Sequence, residues 1–313
     1  MIVMRIKQLE YLEAVIQTGS INEAAKKLYL TQPSLSSAIC SLEKEMGIKI
    51  FQRTNTGTTL TVDGREFMNY ANQILDQVHL LDDRFKKQQA QHQAFAVSAQ
   101  HYAFVVNAFV ELIKNINTPS YKFTLRETET ENIFKDLRSF KSELGILYIN
   151  NFNKKVINKL LREYELTFTP LFVAKPHVFI SRYNPLAKRK SITLDDLVDL
   201  PYLSFEQGED NSFYFSEEIQ STLNHQKEIK VSDRATIFNL MVGLNGYTIS
   251  SGIISSKLND DKIVAIPLQL NDPITLGVVQ HSHATLSQLG QEYLRLLKNH
   301  IRGYGFKIIG EDY

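Results

Sequence analysis

Hydrophobic positions recur with helical spacing over roughly the first ninety residues, then fall into alternating strand and helix spacings. The early part centres on Ser20 to Arg53. Ala24, Ala25 and Leu28 form one small apolar face there. Leu35, Ile39, Leu42 and Met46 follow at spacings of four, three and four, a single buried stripe on an amphipathic helix. Ser20 stands three residues before Glu23, the capping-box pattern that satisfies free backbone donors at a helix start. Thr31 caps the second helix, and Gly47 ends it where a left-handed residue is wanted. A helix over Ile6 to about Thr18, with Ile6, Leu9, Leu12 and Ile16 inward, closes a three-helix core. From Lys49 to Leu60 the chain alternates and turns through Asn55 and Gly57, a hairpin wing.

Thr61 caps a longer helix, expected to reach about Gln91. Phe67, Ala71, Ile74, Val78, Leu81 and Phe85 repeat along it at four-three-four-three-four, a heptad seam that wants a partner helix. Packing of this seam on its own domain is the alternative. The polar segment Lys86–Gln93 marks a domain boundary. Beyond Ala94, strand candidates are Phe95–Val97, Lys122–Arg126, Leu144–Ile149, His177–Ser181, Pro201–Phe205, Ile229–Val231, Tyr247–Ser250, Ile263–Ile266 and Ile274–Val279. Helices are expected at Tyr102–Ile116, Glu131–Phe140, Asn211–Leu223, Ala235–Val242 and Leu286–Arg302. That alternation argues an α/β class with mostly parallel sheets.

Composition changes the picture only in part. The 313 residues, 43% hydrophobic, are enough for two or three domains. A net charge of +1 announces no global basic field, and Ser20–Gly57 carries five Lys and Arg against three acids. Affinity for nucleic acid would then rest on two copies, neutral donors and helix ends. One cysteine excludes an internal disulfide framework and fits a reducing cytosol. No run of 18 apolar residues occurs, and the N-terminus leads straight into a helix, which reads as neither a signal peptide nor a membrane span.

The face of the second helix opposite its apolar stripe carries Pro33, Ser37, Cys40, Ser41 and Lys44, with Gln32, Ser34 and Ser36 near the first turn. Small hydroxyl residues let a helix lie deep in a major groove, and Gln reads an adenine edge bidentately. Thr31 at the helix start would bring backbone donors to phosphate. Arg53 and Thr54 lie where a wing meets backbone or minor groove. A solvated Ser-rich face is the plainer alternative.

The run AAKKLYLTQPSLSSAICSLEKEMGIKIFQR, with Leu60, Thr61 and Gly64 following as L-T-x-x-G, resembles the winged helix-turn-helix of LysR-type transcriptional regulators. Ser37, Cys40 and Ser41 stand where that family often has Arg or other basic residues. The resemblance implies a winged helix-turn-helix over 1–60, a dimerising linker helix over 61–91, and a C-terminal α/β effector domain over 94–303. That domain would have two lobes, as in periplasmic solute-binding proteins. With crossings near Tyr164–Pro170 and Pro267–Leu270, lobe one is 94–164 plus 271–303 and lobe two is 170–266. Further stretches, among them LRETET, NPLAKRKSITLDDLVDLPYLSFEQG and VSDRATIFNLMVGLNGYTI, look very like the Gram-positive branch that regulates methionine uptake and capsule. Control of sulfur-amino-acid uptake or synthesis genes is what that implies.

In such folds a ligand sits between the lobes, at strand ends and helix starts. Ser98, Ala99, Gln100 and His101, with Thr128 and Thr130, are the expected seat for a carboxylate of an amino-acid-like effector. Phe205, Glu206 and Thr236 are its expected contacts in lobe two, and Glu127, Glu129, Glu206 and Asp233 are candidates to meet an ammonium. His281 and His283 would place two imidazoles on one strand face, without a third metal ligand nearby in sequence. Cys40 is a candidate redox thiol. No cofactor and no catalytic constellation is expected, so an enzyme on the same lobes is disfavoured. A solute-binding protein would carry an export signal in place of the helix-turn-helix. The expected partners are double-stranded promoter DNA, the effector, a second copy in a homodimer or homotetramer, and RNA polymerase.

Overall fold

The structure, a computed structural model, describes residues 4–54, 57–86, 93–208, 213–254 and 262–311; the side chains of residues 53, 54, 80 and 83–86 also lie outside the described set. The chain forms two compact units, Met1–Ala90 and Gln91–Tyr313.

The first unit holds α1 (Ile6–Thr18), α2 (Ile21–Lys27), α3 (Gln32–Met46), the antiparallel hairpin β1 (Phe51–Thr54) and β2 (Gly57–Leu60), and α4 (Val62–Lys86). Ser20 and Thr31 cap α2 and α3 by accepting from the N–H groups of Glu23 and Ser34. Gly47 closes α3 at φ 69°. Leu12, Val15, Leu35, Leu42 and Ile50 are fully buried. The α1 face differs from its expected one. Leu9, Leu12 and Val15 point inward, while Ile6 and Ile16 are 47% and 40% exposed, because both sit in terminal turns at the rim of the stripe.

Two contacts fix the wing and the start of α4. The buried Glu43 carboxylate accepts from Ile50 N–H at 2.9 Å and Phe51 N–H at 3.2 Å, so α3 sets where β1 begins. Thr61 donates its N–H to Ile50 O at 3.0 Å and accepts from Gly64 N–H at 2.9 Å, capping α4. A Cβ on Gly64 would lie 2.1 Å from Ile50 O, so only glycine fits there. This is the physical content of L-T-x-x-G. Along α4 the heptad seam divides. Ala71 is buried with Met68 and Leu75 in the head's core, and Phe67 packs against it. Ile74 and Leu81 are exposed by 40% and 60%, and Val78 is half-buried. The side chain of Phe85 lies outside the described residues.

The second unit has two five-stranded sheets. In lobe one, β3 (Gln93–Ala99) runs parallel to β4 (Tyr121–Glu127) and β5 (Leu144–Ile149). Alongside them lie α5 (Ala103–Asn115), α6 (Thr130–Arg138) and α7 (Lys154–Glu163). Next comes β6 (Leu166–Ala174), then in lobe two β7 (His177–Ser181), β8 (Tyr202–Phe205), β9 (Glu228–Val231), α8 (Arg234–Leu244), β10 (Tyr247–Ser250) and β11 (Ile263–Pro267). The chain returns to lobe one with β12 (Ile274–His281) and α9 (Gln288–Gly303). Strand order is β4-β3-β5-β12-β6 in lobe one and β11-β7-β10-β8-β9 in lobe two.

Three expectations change here. The first crossing lies at Lys175–Pro176, because β6 pairs with β12 along its whole length, Leu166 opposite His281 and Ala174 opposite Ile274. Lobe one therefore includes 166–174. The domain also continues past 303: Ile308 is buried in the core, and Ile309 N–H donates to Leu171 O at 2.8 Å. Helix α7 falls between strand candidates, as the alternation expects, at a place where the sequence reading assigns no bounds. No helix forms over the described part of Asn211–Leu223, where Phe213–Phe215 makes a single 3₁₀ turn and the chain is held by contacts to lobe one instead. Residues 209–212 lie outside the described set.

Candidate DNA-contacting helix and effector cleft

On α3 the expected face is free. Thr31, Pro33, Ser34, Ser37, Cys40, Ser41 and Lys44 are exposed, and Gln32 and Ser36 are half-buried at its edge. Thr31 and Ser34 hydroxyls share a 2.8 Å hydrogen bond, so both are engaged in the helix cap. Arg53 pairs with Thr58 across the hairpin backbone, and its side chain lies outside the described residues. The wing is pinned to the end of α1: Thr58 N–H donates to Gly19 O at 2.9 Å, and a Cβ on Gly57 would lie 2.7 Å from that oxygen.

In the second unit the expected carboxylate seat is built differently. Ser98 and Ala99 end β3 rather than opening a helix, and both are fully buried. Ser98 donates to Asp136 Oδ2 at 2.7 Å and shares a 2.8 Å bond with Ser142 Oγ, so it fastens β3 to α6 inside lobe one. Gln100 is buried too: its amide donates to Thr130 Oγ1 at 2.7 Å and its carbonyl accepts from Tyr102 OH and Tyr148 N–H. Thr128 N–H donates to Ala99 O, and Thr236 hydrogen-bonds Asp233 to cap α8. Glu206 is exposed. Four of the expected contacts (Ser98, Ala99, Gln100 and Thr128) thus form the frame of lobe one. Thr236 caps its own helix, and Glu206 stands in solvent.

His101, Thr130 and Phe205 do meet at the cleft, with partners the sequence did not single out. Thr130 N–H donates to Gln207 Oε1 at 3.1 Å, and its hydroxyl donates to Phe215 O at 2.7 Å. Tyr148 OH donates to Ser216 O at 2.9 Å. His101 N–H donates to Glu217 Oε2 at 2.8 Å, and its Nδ1 lies 3.0 Å from the same carboxylate. Adjacent Glu218 is buried, accepting from Phe205 N–H and Ser216 Oγ, each at 2.9 Å. Burial, with Glu217 beside it, pushes its pKa up to about 8. Of the acids expected to meet an ammonium, Glu127 is held by Arg234 at 3.1 Å, Asp233 caps α8, and Glu129 accepts from Asn132. Burial raises the Glu127 pKa above its ordinary value despite that Arg. The dipeptide Glu217-Glu218 before the apolar Ile219 was the one available signal for this cluster.

Beside these groups lies a pocket, partly open to solvent. Its wall is largely apolar, from Phe179, Phe205, Ile237, Phe238, Ile249 and Ile253. Its polar end is His101, Glu217, Glu218 and Arg234. Among the described residues no cluster of three or more His, Cys, Asp or Glu suits a metal ion. His281 stacks on Phe140 at 4.8 Å, with the His283 ring 6.0 Å away. No described helix is long and apolar enough to cross a membrane.

A sequence profile of bacterial regulatory helix-turn-helix proteins, lysR family, matches residues 6–65, and one of the LysR substrate binding domain matches residues 108–302. The chain is 25% identical to the uncharacterized HTH-type transcriptional regulator YbhD of Escherichia coli (strain K12) over 297 residues, covering 90% of this chain and 87% of that protein. It is 23% identical to the hydrogen peroxide-inducible genes activator of Pectobacterium carotovorum subsp. carotovorum over 313 residues, 96% of this chain and 98% of that one. Among solved structures, an OxyR mutant of Corynebacterium glutamicum superposes with a TM-score of 0.53 at 17% identity, covering 96% of this chain and 94% of its own, a likeness of fold.

Proposed function

The chain belongs to the LysR family of bacterial transcription regulators, which bind promoter DNA and small effectors and are not enzymes, and from that premise we propose that it couples a small sulfur-containing amino acid, or a precursor of one, to genes for its uptake or synthesis. The observation that carries this reading is the pairing of an exposed hydroxyl-rich face on α3 with a partly open, apolar-walled pocket in the effector domain. A mostly apolar wall with a few polar groups at one end is the build of a small-molecule site, and it suits an unbranched thioether or thiol chain. The stretches resembling the methionine-uptake and capsule branch support the choice of pathway.

The effector contacts in this reading are His101, Phe205, Glu218 and Arg234, with Ser98, Gln100 and Thr130 acting behind them as the frame. Gln32, Ser34 and Ser37 face base edges, and Arg53 meets backbone or minor groove. The protein works in the cytoplasm as a homodimer or homotetramer and meets RNA polymerase at the promoter. The single cysteine, Cys40, lies exposed on α3, and the effector domain has none.

The test selects bound fragments from genomic DNA with the full-length protein and repeats gel-shift titrations with methionine, homocysteine and O-acetylserine. One of these should change operator affinity at millimolar or lower concentration. Selection of no specific fragment would overturn the regulator reading of the α3 face. A specific fragment indifferent to all three metabolites, but responsive to another class, would remove the sulfur assignment alone.

A further inference from the structure

Resting on the effector reading above, we infer that Glu217 is a built-in competitor of the effector: its carboxylate fills the seat that a carboxylate ligand with an apolar tail takes, and ligand entry drives it out. Glu217 reaches His101 from the opposite lobe and receives both the backbone N–H, at 2.8 Å, and the imidazole Nδ1, at 3.0 Å. Gln207 adds an amide donor at 3.4 Å. Three donors converging on one planar carboxylate make an anion seat, and the chain has filled it with its own side chain.

Nothing in the sheet obliges Glu217 to be there. It lies in the long connection between β8 and β9, outside any strand or α-helix, where Thr130 and Tyr148 bond to Phe215 O and Ser216 O, Gln220 donates to Asp272, and Ile219 is buried in the core. The segment is a strap fastened on both sides of Glu217, and since no sheet hydrogen bond involves the Glu217 side chain, the carboxylate can leave the seat by rotating while Ile219 stays in the core. The cavity begins at this seat, with Phe205, Phe238, Ile249 and Ile253 on its wall, so a tail attached to a seated carboxylate enters apolar space. Arg234 supplies a further donor: one guanidinium nitrogen is bound to Glu127, while Nη1 is buried with no partner.

The polarity of the ligand follows from the exchange. Replacing one carboxylate by another leaves the charge facing His101 and Arg234 unchanged, so the swap itself is close to neutral. Net affinity then comes from the tail. An ammonium at the same place would face both cations and leave the seat's donors unpaired. A tethered competitor acts at an effective concentration in the millimolar range, so removing it should tighten a free carboxylate by about tenfold or more.

The experiment titrates hexanoate, acetate and hexylamine calorimetrically into the full-length protein, its E217A variant and the near-isosteric E217Q variant, each checked for fold by circular dichroism. Hexanoate should bind E217A at least about tenfold more tightly than wild type, with E217Q in between. Acetate should bind weakly and hexylamine not at all. Equal or weaker hexanoate binding in the variants, or tighter binding of hexylamine, would overturn the assignment, and E217Q keeps the comparison available should E217A not fold. Gel shifts on the same samples separate the two levels. A tenfold gain in hexanoate affinity with operator binding unmoved leaves the seat standing and removes the effector reading.

Discussion

His101 and Phe205 lie face to face across the cleft, ring centroids 3.8 Å apart and planes within 5° of parallel. One ring belongs to lobe one and the other ends β8 of lobe two, so the stack is a clasp between lobes. Glu217 makes it a charged clasp. Burial opposes protonation of the imidazole, but attraction and hydrogen bonding from Glu217 outweigh it and hold the pKa above its ordinary value. An imidazolium on an aromatic face gains roughly a further 0.5–2 kcal/mol.

The effector domain should accordingly lose stability as pH rises through neutrality. A raised histidine pKa contributes stability that is complete below its ordinary value of 6.5 and is lost as pH climbs through the raised one. Glu218 works in the same direction. Its folded pKa of about 8 exceeds the ordinary 4.5, so between those values the unfolded chain releases a proton that the fold retains. Glu218→Gln keeps an acceptor for Phe205 N–H and needs no proton. Thermal melts from pH 5 to 9 should show a flatter decline for this variant and a higher melting temperature at pH 8; parallel curves would refute the account.

Base reading should concentrate at the first turn of α3. Gln32→Ala is expected to cost about 1–3 kcal/mol on the specific site and to relax its sequence preference. Arg53→Ala should weaken binding on all sequences and flatten the salt dependence. Gel-shift titration on specific and scrambled duplexes at several salt concentrations separates the two. An unchanged specific-to-nonspecific ratio for Gln32→Ala would displace that residue from the groove.

The divided seam of α4 gives opposite outcomes for neighbouring positions. Ile74→Asp with Val78→Asp alters exposed and half-buried sites, so the head should stay folded while dimers separate and operator binding is lost. Two recognition helices can no longer be set about 34 Å, or a multiple of a turn, apart. Leu75→Asp, at a buried position, should unfold the head itself. Light scattering and circular dichroism distinguish these, and an unchanged oligomer in the double variant would assign the pairing elsewhere.

Glu43 should couple the head's stability to acid. Burial disfavours its charge, yet hydrogen bonds from Lys49, Phe51 N–H and Ile50 N–H prevail and keep its pKa below the usual 4.5. Its contribution is therefore present above that value and disappears as pH falls through the lowered one. Lys49 is mostly exposed, so the two backbone donors carry most of the effect. Glu43→Ala leaves them unpaired and should cost about 2–4 kcal/mol in denaturant unfolding of the head. It should also loosen the wing and reduce DNA affinity. A loss below about 0.5 kcal/mol would show that water replaces the carboxylate without penalty.

The head was legible because its information is local. Caps at Ser20 and Thr31, the stop at Gly47 and the four-three-four stripe of α3 each depend on residues within one or two helical turns. Even the need for glycine at position 64 follows a short-range motif, although its reason, the Ile50 carbonyl, shows only in space. The alternation of the second unit likewise announced an α/β class. Spacing did not tell which seam positions of α4 the head itself would bury, since Ala71 and Ile74 are equivalent on a helical wheel until a core is placed beside one of them. Nor did it find the strap. The His101–Glu217 contact joins positions 116 apart, and Glu217 reaches it because neighbouring backbone atoms bond to Thr130 and Tyr148 of the other lobe. Helix faces and caps are set by neighbours along the chain, so the sequence determined them. A cleft is set by which distant surfaces close on one another, and only the tertiary structure decided that.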